Sequence, residues 1–157
     1  YENKNKFNYY KYYSEFERLF DENDYPGSKP PWGNLTALDL NSGKIKWQVP
    51  FGEYEELTKF GIPLTGTENY GGATGTAGDL IFATGTLDKK IRAFDSNNGK
   101  EVWSYQMDYV GSGPPSVYAI NGEQYIVVAS TGSYSLSNAY SVDFGNFLYC
   151  FKLKKNE

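Results

Sequence analysis

The sequence predicts an all-β protein built from antiparallel four-stranded sheets, each of the size of one blade of a β-propeller. The first observation is a repeat: residues 37–47 return at residues 93–103, with Ala, Asp, Asn, Gly, Lys and Trp in matching places. The second is the alternation of apolar and polar residues in short segments. The third is the number of turn formers, with 17 glycines and seven prolines. A repeat of this length with strand character indicates one structural unit built more than once.

Composition and charge exclude several classes of protein. The chain has 157 residues, the size of one ordinary domain, and 18% of them are aromatic, which is too many for a disordered chain. The net charge of −4 and the lack of a Lys/Arg cluster argue against nucleic-acid binding. No segment approaches the length of a membrane span. Cys150 is the only cysteine, and its apolar neighbours predict a buried, inert thiol.

Residues 1–33 are predicted to form an N-terminal arm or loop. The aromatic residues between positions 9 and 20 recur at the spacing of one helix face, so the arm can contain a short helix at 9–20. Residues 24–31 contain three prolines and a glycine, which exclude regular structure there. The partial propeller is therefore predicted to occupy residues 34–157.

Three blades or parts of blades are predicted after the arm. Residues 34–50 form the end of one blade, residues 73–107 a full blade and residues 114–154 a further blade. Residues 50–72 form a long connection that can hold one helical turn at 55–59. The predicted strands are 34–40, 44–49, 73–76, 80–84, 91–95, 101–106, 116–120, 125–130 and 147–153.

Each of the first two repeats ends in a tryptophan, Trp47 or Trp103. A flat indole suits the gap between sheets that are arranged radially. Its N–H then needs an acceptor, which we expect to be a backbone carbonyl of the next unit. The glycine before it, Gly43 or Gly99, supplies the positive φ of a hairpin turn. A third copy keeps the register but lacks the terminal glycine and tryptophan.

The spacing Ala-x-Asp-x-x-x-Gly-x-x-x-Trp resembles the tryptophan-docking motif of the PQQ-dependent (quinoprotein) dehydrogenases, which are eight-bladed β-propellers. Residues 30–33 (Pro-Pro-Trp-Gly) and 66–72 (Gly-Thr-Glu-Asn-Tyr-Gly-Gly) are similar to the membrane-bound glucose dehydrogenase branch. The resemblance covers about residues 20–155 and only the C-terminal portion of such an enzyme, so two to three blades are expected here. Further similar segments are 29–40, 61–63, 76–82 and 122–129.

The resemblance implies part of an enzyme. A protein of this branch oxidises an aldose sugar or polyol with the cofactor PQQ and passes the electrons to ubiquinone. Its catalytic Asp and its Ca²⁺ ligands lie in earlier blades that have no counterpart here, so no catalytic or metal-binding residue is assigned to this chain. The implied partner is the rest of the same propeller. The implied location is the bacterial periplasm, with attachment to the inner membrane through a region outside this chain left open.

The stretch Asn69, Tyr70, Gly71 and Gly72 is the candidate cofactor-binding site. It leads directly into the innermost strand of a blade, beside the axis on which propeller cofactors lie. Adjacent glycines allow a backbone to approach a flat ligand. The Asn69 amide can bind a quinone or carboxylate oxygen, and the Tyr70 ring can stack on the ligand or line the rim. In the alternative interpretation, the glycines only turn the chain and Asn69 caps the loop.

Four other features are less specific. Trp32 walls a substrate funnel or, as we favour, packs beneath the loop. Glu68 is a general base or a Ca²⁺ ligand or, as we favour, makes a loop hydrogen bond, because no second acid lies beside it. The stretch 111–114 enters the third unit at a place equivalent to 69–72. Residues 88–90 (Asp-Lys-Lys) are predicted to form an exposed turn.

A different class of function remains open: a non-catalytic propeller segment that serves as a binding or scaffold module of the bacterial envelope. The polar glycine cluster at 66–72 favours the enzyme, because a scaffold has no need of it. In either case, isolated blades leave open sheet edges and uncovered faces. We therefore expect this chain to pack against the rest of its propeller.

Overall fold

Three antiparallel sheets hold the regular structure of residues 17–153, the part of the chain that the computed structural model describes. β1 and β2 form a two-stranded sheet, β3 to β6 a four-stranded sheet in sequence order, and β7 to β9 a three-stranded sheet. The predicted all-β class with blade-sized antiparallel sheets is confirmed. The elements are β1 Asn34–Asp39, β2 Lys44–Pro50, α1 Glu55–Lys59, β3 Ala73–Gly75, β4 Leu80–Ala83, β5 Lys90–Asp95, β6 Glu101–Gln106, β7 Ser116–Ile120, β8 Glu123–Ser130, α2 Tyr134–Ser137 and β9 Phe147–Lys152.

The first two copies of the repeat fold alike. In both, the aspartate before the turn accepts the backbone N–H of the residue two positions later, at 2.9 Å in the first copy and 2.7 Å in the second. Gly43 and Gly99 close these turns with φ values of +67° and +74°. In both, the register of the hairpin shifts just after the alanine that pairs with the tryptophan. These pairs are Ala37 with Trp47 and Ala93 with Trp103.

Trp47 lies between the first sheet and the second. Its indole N–H donates to the carbonyl oxygen of Ser96 at 2.9 Å. Its ring lies against Gly99, where an added Cβ would be 2.6 Å from the indole carbons. The predicted backbone acceptor in the next unit is therefore confirmed. A small cluster around the buried Phe51 and Phe94 fills the same interface.

Trp103 occupies the matching place between the second sheet and the third, but it is less enclosed. Its ring contacts Phe151 edge-to-face with centroids 5.2 Å apart, and 38% of the residue remains exposed. It lines an apolar cavity of about 490 Å³ between these two sheets. The turn that would receive it, by analogy with Gly99, falls 57 residues later and lies beyond residue 153. The core of this interface consists of Phe82, Ile91, Ala93, Met107, Ile126 and Val128.

Two expectations from the sequence are wrong. Cys150 is exposed rather than buried. It occupies β9, which pairs only with β8 among residues 17–153, whereas its counterpart Ala93 is buried in β5 between two strands. Asp88 does not belong to an exposed turn, because its side chain is buried in an ion pair with the buried Arg92. Spacing in the sequence indicated neither that β9 has one neighbouring strand within residues 17–153 nor that Arg92 is buried.

The N-terminal arm is described from residue 17 onward. The part of the predicted helix at 9–16 lies outside the described residues, and residues 17–20 are not helical. Phe20 instead forms an isolated antiparallel bridge with Pro26. No helix among residues 17–153 is long and apolar enough to cross a membrane.

The long connections between strands lie at one end of the sheets. Antiparallel pairing puts the beginning of β3, the end of β4, the beginning of β5 and the end of β6 at that end. The connections 51–72, 84–89 and 107–115 therefore lie together there, and the short hairpin turns lie at the opposite end. The candidate residues 69–72 belong to the first of these connections.

Candidate functional site

Residues 69–72, called the entry segment below, pair with the corner that follows β4, residues 84–88. The backbone N–H of Tyr70 donates to the carbonyl oxygen of Gly85 at 3.1 Å. The N–H of Thr84 in turn donates to the carbonyl oxygen of Gly72 at 3.2 Å. The entry segment is thus held on the corner by backbone hydrogen bonds.

Gly71 and Gly72 allow the entry segment to lie close to its neighbours. A Cβ on Gly71 would overlap the carbonyl oxygen of Thr84, and a Cβ on Gly72 would lie 2.7 Å from the ring of Pro114. Neither glycine has the positive φ of a tight turn. The two glycines therefore serve close packing between backbone segments, a role that the sequence did not separate from chain reversal or ligand contact.

The side chains of Asn69 and Tyr70 differ in their surroundings. Nδ2 of Asn69 donates to the carbonyl oxygen of Thr67 at 3.3 Å, so the amide caps its own loop. The Tyr70 residue is 44% exposed, and its hydroxyl lies 3.5 Å from Nη2 of Arg18. Asn69 thus offers an amide that already makes one hydrogen bond, and it lies next to the exposed ring of Tyr70.

The stretch at 111–115 leads into the third sheet and also pairs with a corner, but in the parallel sense, whereas Asn69 pairs with Thr86 in the antiparallel sense. Gly111 forms a bridge with Gly132 in the corner after β8, and the N–H of Gly132 donates to the carbonyl oxygen of Val110 at 2.9 Å. Oγ1 of Thr84 donates to the carbonyl oxygen of Gly113 at 3.0 Å, which joins this stretch to the corner beneath the entry segment. The two stretches that the sequence singled out as equivalent therefore lie side by side.

Glu68 forms a bidentate ion pair with Arg18. Nη2 and Nε of Arg18 lie 2.7 and 3.0 Å from the two carboxylate oxygens. Nη2 also lies 3.5 Å from the carbonyl oxygen of Ser135, so Arg18 joins the arm to α2 and to Glu68, the residue just before the entry segment. The sequence suggested a loop hydrogen bond for Glu68, and the partner 50 residues away left no signal in it. A carboxylate engaged in this way is not a free base.

The Arg18–Glu68 pair predicts a pH-dependent stability. Partial burial by itself would raise the pKa of the Glu68 carboxyl, but the hydrogen bonds and charge of Arg18 outweigh it and hold the pKa below 4.5. Because the folded-state pKa is depressed, the stabilisation is present above the unfolded-state pKa and is lost as the pH falls through the folded-state value. We expect Glu68→Gln to lower stability by less than about 1 kcal/mol at neutral pH, and the difference to shrink as the pH falls through the depressed folded-state pKa.

Denaturant midpoints of the wild type and Glu68→Gln across this pH range measure the effect. Glu55→Gln is the matched control, because it breaks a highly exposed i,i+4 pair with Lys59 and should leave the midpoint nearly unchanged. A Glu68→Gln difference that stays constant from neutral pH into strong acid would contradict the assignment.

Trp32 packs in an aromatic cluster. Its ring stacks on Tyr25 with centroids 5.9 Å apart and meets Tyr54 edge-to-face at 5.4 Å. Its indole N–H donates to the carbonyl oxygen of Ser28 at 2.7 Å. Trp32 and Glu68 also line a cavity of about 360 Å³. These contacts support the favoured packing role. Within residues 17–153, no group of three His, Cys, Asp or Glu residues is placed to hold a metal ion.

Comparisons with known proteins agree with this architecture. The family of PQQ enzymes described as glucose/ethanol/alcohol dehydrogenase, β-propeller domain, matches residues 2–126. Quinate/shikimate dehydrogenase (quinone) of Acinetobacter baylyi is 34% identical over 137 residues, 83% of this chain and 16% of that protein. Quinoprotein glucose dehydrogenase A of Acinetobacter calcoaceticus is 30% identical over 136 residues, 84% of this chain and 16% of that protein.

A solved structure is similar in fold. Quinohemoprotein alcohol dehydrogenase from Comamonas testosteroni matches with a TM-score of 0.52 and 28% identity, over 67% of this chain and 13% of that one. The chain spans 16% of the length of the two curated relatives above. The chain belongs to the PQQ-dependent glucose, ethanol and alcohol dehydrogenase β-propeller family, as its tryptophan-docking repeats indicate.

Proposed function

We propose that this chain forms C-terminal blades of a PQQ-dependent dehydrogenase and supplies one wall of its cofactor site. The observation that carries the proposal is the position of the entry segment. It is held on the corner at 84–88 and lies beside the equivalent stretch 111–115, at the end where the long connections gather. Family membership supports the class of cofactor.

The residues of the entry segment suit a flat, polar quinone. The Asn69 amide can donate to a quinone or carboxylate oxygen, and the open ring of Tyr70 offers an apolar surface next to it. Gly71 and Gly72 let the backbone of the segment lie close against Thr84 and Pro114. When bound, PQQ accepts the two electrons of the oxidised substrate, while these residues bind and orient it.

We infer an aldose sugar or a related polyol as the substrate and a quinone as the electron acceptor. Two relatives support this, since one is a quinoprotein glucose dehydrogenase and the other a quinate/shikimate dehydrogenase (quinone). The catalytic groups and the Ca²⁺ ligands are assigned to parts of the enzyme outside this chain. Both relatives are bacterial proteins, and the bacterial periplasm is the proposed location.

The rest of the propeller is the proposed partner of this chain. On the first sheet, the cross-strand pair Leu38 and Ile45 is exposed, and on the third sheet Ile120 and Leu148 are exposed. Apolar side chains on repeat units are normally covered by the neighbouring unit. Further blades on both sides would cover them and protect the open edges.

Reconstitution of the full-length protein tests the proposed function. The apo protein is mixed with PQQ and Ca²⁺, and the reduction of a dye acceptor is followed with glucose, other aldoses, quinate and polyols. We expect dye reduction that depends on PQQ and on one of these substrates. PQQ binding without reduction of the dye by any of them would remove the proposed substrate class, and a lack of PQQ binding would overturn the proposal itself.

Asn69→Ala is expected to weaken PQQ binding by about tenfold, because one hydrogen bond to a charged or polar oxygen is worth roughly 1.5 kcal/mol. Titration of the apo full-length protein with PQQ measures the affinity. Asn97→Ala is the matched control, since Asn97 is exposed in a turn at the opposite end of the same sheet. Equal affinities for the wild type and Asn69→Ala would remove Asn69 from the site.

A further inference from the structure

The corner at 84–88 supports the entry segment and is itself held by charged side chains. Thr86 pairs with Asn69 in an isolated antiparallel bridge. The N–H of Leu87 donates to Oγ1 of Thr67 at 3.1 Å, just before the entry segment. Together with the bonds at Thr84 and Gly85, these contacts make the position of residues 69–72 depend on the conformation of the corner.

Arg92, Asp88 and Thr86 form a closed network beneath this corner. Nη1 of Arg92 donates to Oγ1 of Thr86 and to Oδ1 of Asp88, each at 3.1 Å, and Nη2 donates to Oδ2 of Asp88. The Thr86 hydroxyl donates to Oδ1 of Asp88 at 2.6 Å. Asp88 also accepts the N–H of Lys90, which closes the turn. The network thus determines the geometry of the corner at Thr86, the residue that pairs with Asn69.

The burial of Arg92 and Asp88 indicates that the network adds little net stability. Its main effect is on the geometry of the corner. Arg92 is 4% exposed and the Asp88 side chain 7%. Removing both charges from water offsets most of their attraction, so a buried ion pair is seldom more stabilising than apolar side chains of the same size. In this network, Nη1 and Nη2 of Arg92 contact the two carboxylate oxygens of Asp88 separately, which fixes the places of donors and acceptors.

The other carboxylate that pairs with Arg92 lies away from the corner. Glu101 accepts from Nε of Arg92 at 3.1 Å and belongs to β6, and its side chain is 41% exposed. The guanidinium therefore has one side directed to the corner and one directed to the outer strand. This division allows the two roles of Arg92 to be separated by mutation.

We propose that Arg92, Asp88 and Thr86 are positioning residues for the entry segment, and through it for the cofactor. The second half of this statement rests on the proposed function. None of the three needs to touch the ligand. Arg92 holds Asp88 and Thr86, these hold the corner, and the corner holds Asn69 and Tyr70 through backbone pairing.

Variants of the full-length protein separate positioning from general stability. Asp88→Asn removes the charge at nearly constant shape, and Thr86→Val removes the hydroxyl. Thr86→Ser restores the hydroxyl and is the conservative rescue. Glu101→Gln is the matched control, because it takes a carboxylate from the same Arg92 on the side away from the corner. The readouts are amide hydrogen exchange at Tyr70 in the apo protein, PQQ affinity and the thermal midpoint.

We expect Asp88→Asn and Thr86→Val to speed exchange of the Tyr70 amide and weaken PQQ binding, each by about tenfold, as loss of supporting contacts commonly does. Thr86→Ser and Glu101→Gln should change neither, even where Glu101→Gln lowers the thermal midpoint. Equal effects of Asp88→Asn and Glu101→Gln on exchange, in proportion to their midpoints, would overturn the positioning role. Faster exchange with unchanged PQQ affinity would support positioning of the segment and instead count against the cofactor site.

Discussion

Replacing Trp47 with alanine should lower the stability of the folded protein by about 3 kcal/mol, at the lower end of the range for large aromatic residues because Trp47 is half-buried. The substitution removes the indole that fills the gap between the first sheet and the second. It also removes the donor to the carbonyl oxygen of Ser96, which then loses its partner. Denaturant midpoints of the full-length protein measure the loss.

Two further variants divide this effect into its parts. Trp47→Phe keeps a ring but loses the N–H, and we expect it to cost about 1 kcal/mol for the hydrogen bond to Ser96. Gly99→Ala places a methyl group against the indole at a position with φ of +74°, so it should destabilise the wild type. In the Trp47→Ala background the steric part of that cost disappears, which gives a coupling energy of about 1 kcal/mol or more. Strict additivity would contradict the docking of Trp47 on Gly99.

Gly71→Ala is expected to be comparably damaging, at about 3 kcal/mol, and to weaken PQQ binding as well. The added Cβ would overlap the carbonyl oxygen of Thr84, which is a backbone atom and has no rotamer with which to move aside. The entry segment must then lift from the corner and lose the hydrogen bond between Tyr70 and Gly85. The thermal midpoint and the PQQ affinity of the full-length protein measure the two consequences.

Gly75→Ala is the matched control for this experiment. Gly75 ends β3, a few residues after the entry segment, and a Cβ there meets no atom within 4 Å. Its φ lies outside the left-handed region, so alanine should change stability by no more than about 0.5 kcal/mol. If Gly71→Ala behaved like Gly75→Ala, the close packing of the entry segment would be wrong.

The strands were largely predictable because their signals are local. Alternation and turn residues lie within a few positions of each other, and the predicted bounds of β6 and β7 match those in the structure. The role of Trp47 was also predictable, since the repeat implied a neighbour of the same kind. The exposure of Cys150 was not, because within residues 17–153 β9 pairs with β8 alone, and the residues around Cys150 do not indicate this.

The candidate site was only partly predictable. Glycines and polar residues directly before β3 singled out Asn69 to Gly72, and the equivalence with 111–114 followed from the repeat. Arg18 left no such signal, because it meets Glu68 across 50 residues. The burial of Arg92 could not be predicted either, because a single basic residue within a strand is normally taken to be exposed. Its burial becomes apparent only when the structure places two carboxylates around it.

By itself the sequence determined the class of fold, the repeat, the docking of Trp47 and the family, because turn chemistry and spacing are written in neighbouring residues. Only the tertiary structure decided why Gly71 and Gly72 are glycines, that Glu68 is engaged by Arg18, and that a buried network at Arg92 lies beneath the entry segment. Those properties are contacts between connections that the antiparallel sheets bring to one end, and their energies depend on distance and burial, which a linear sequence does not contain.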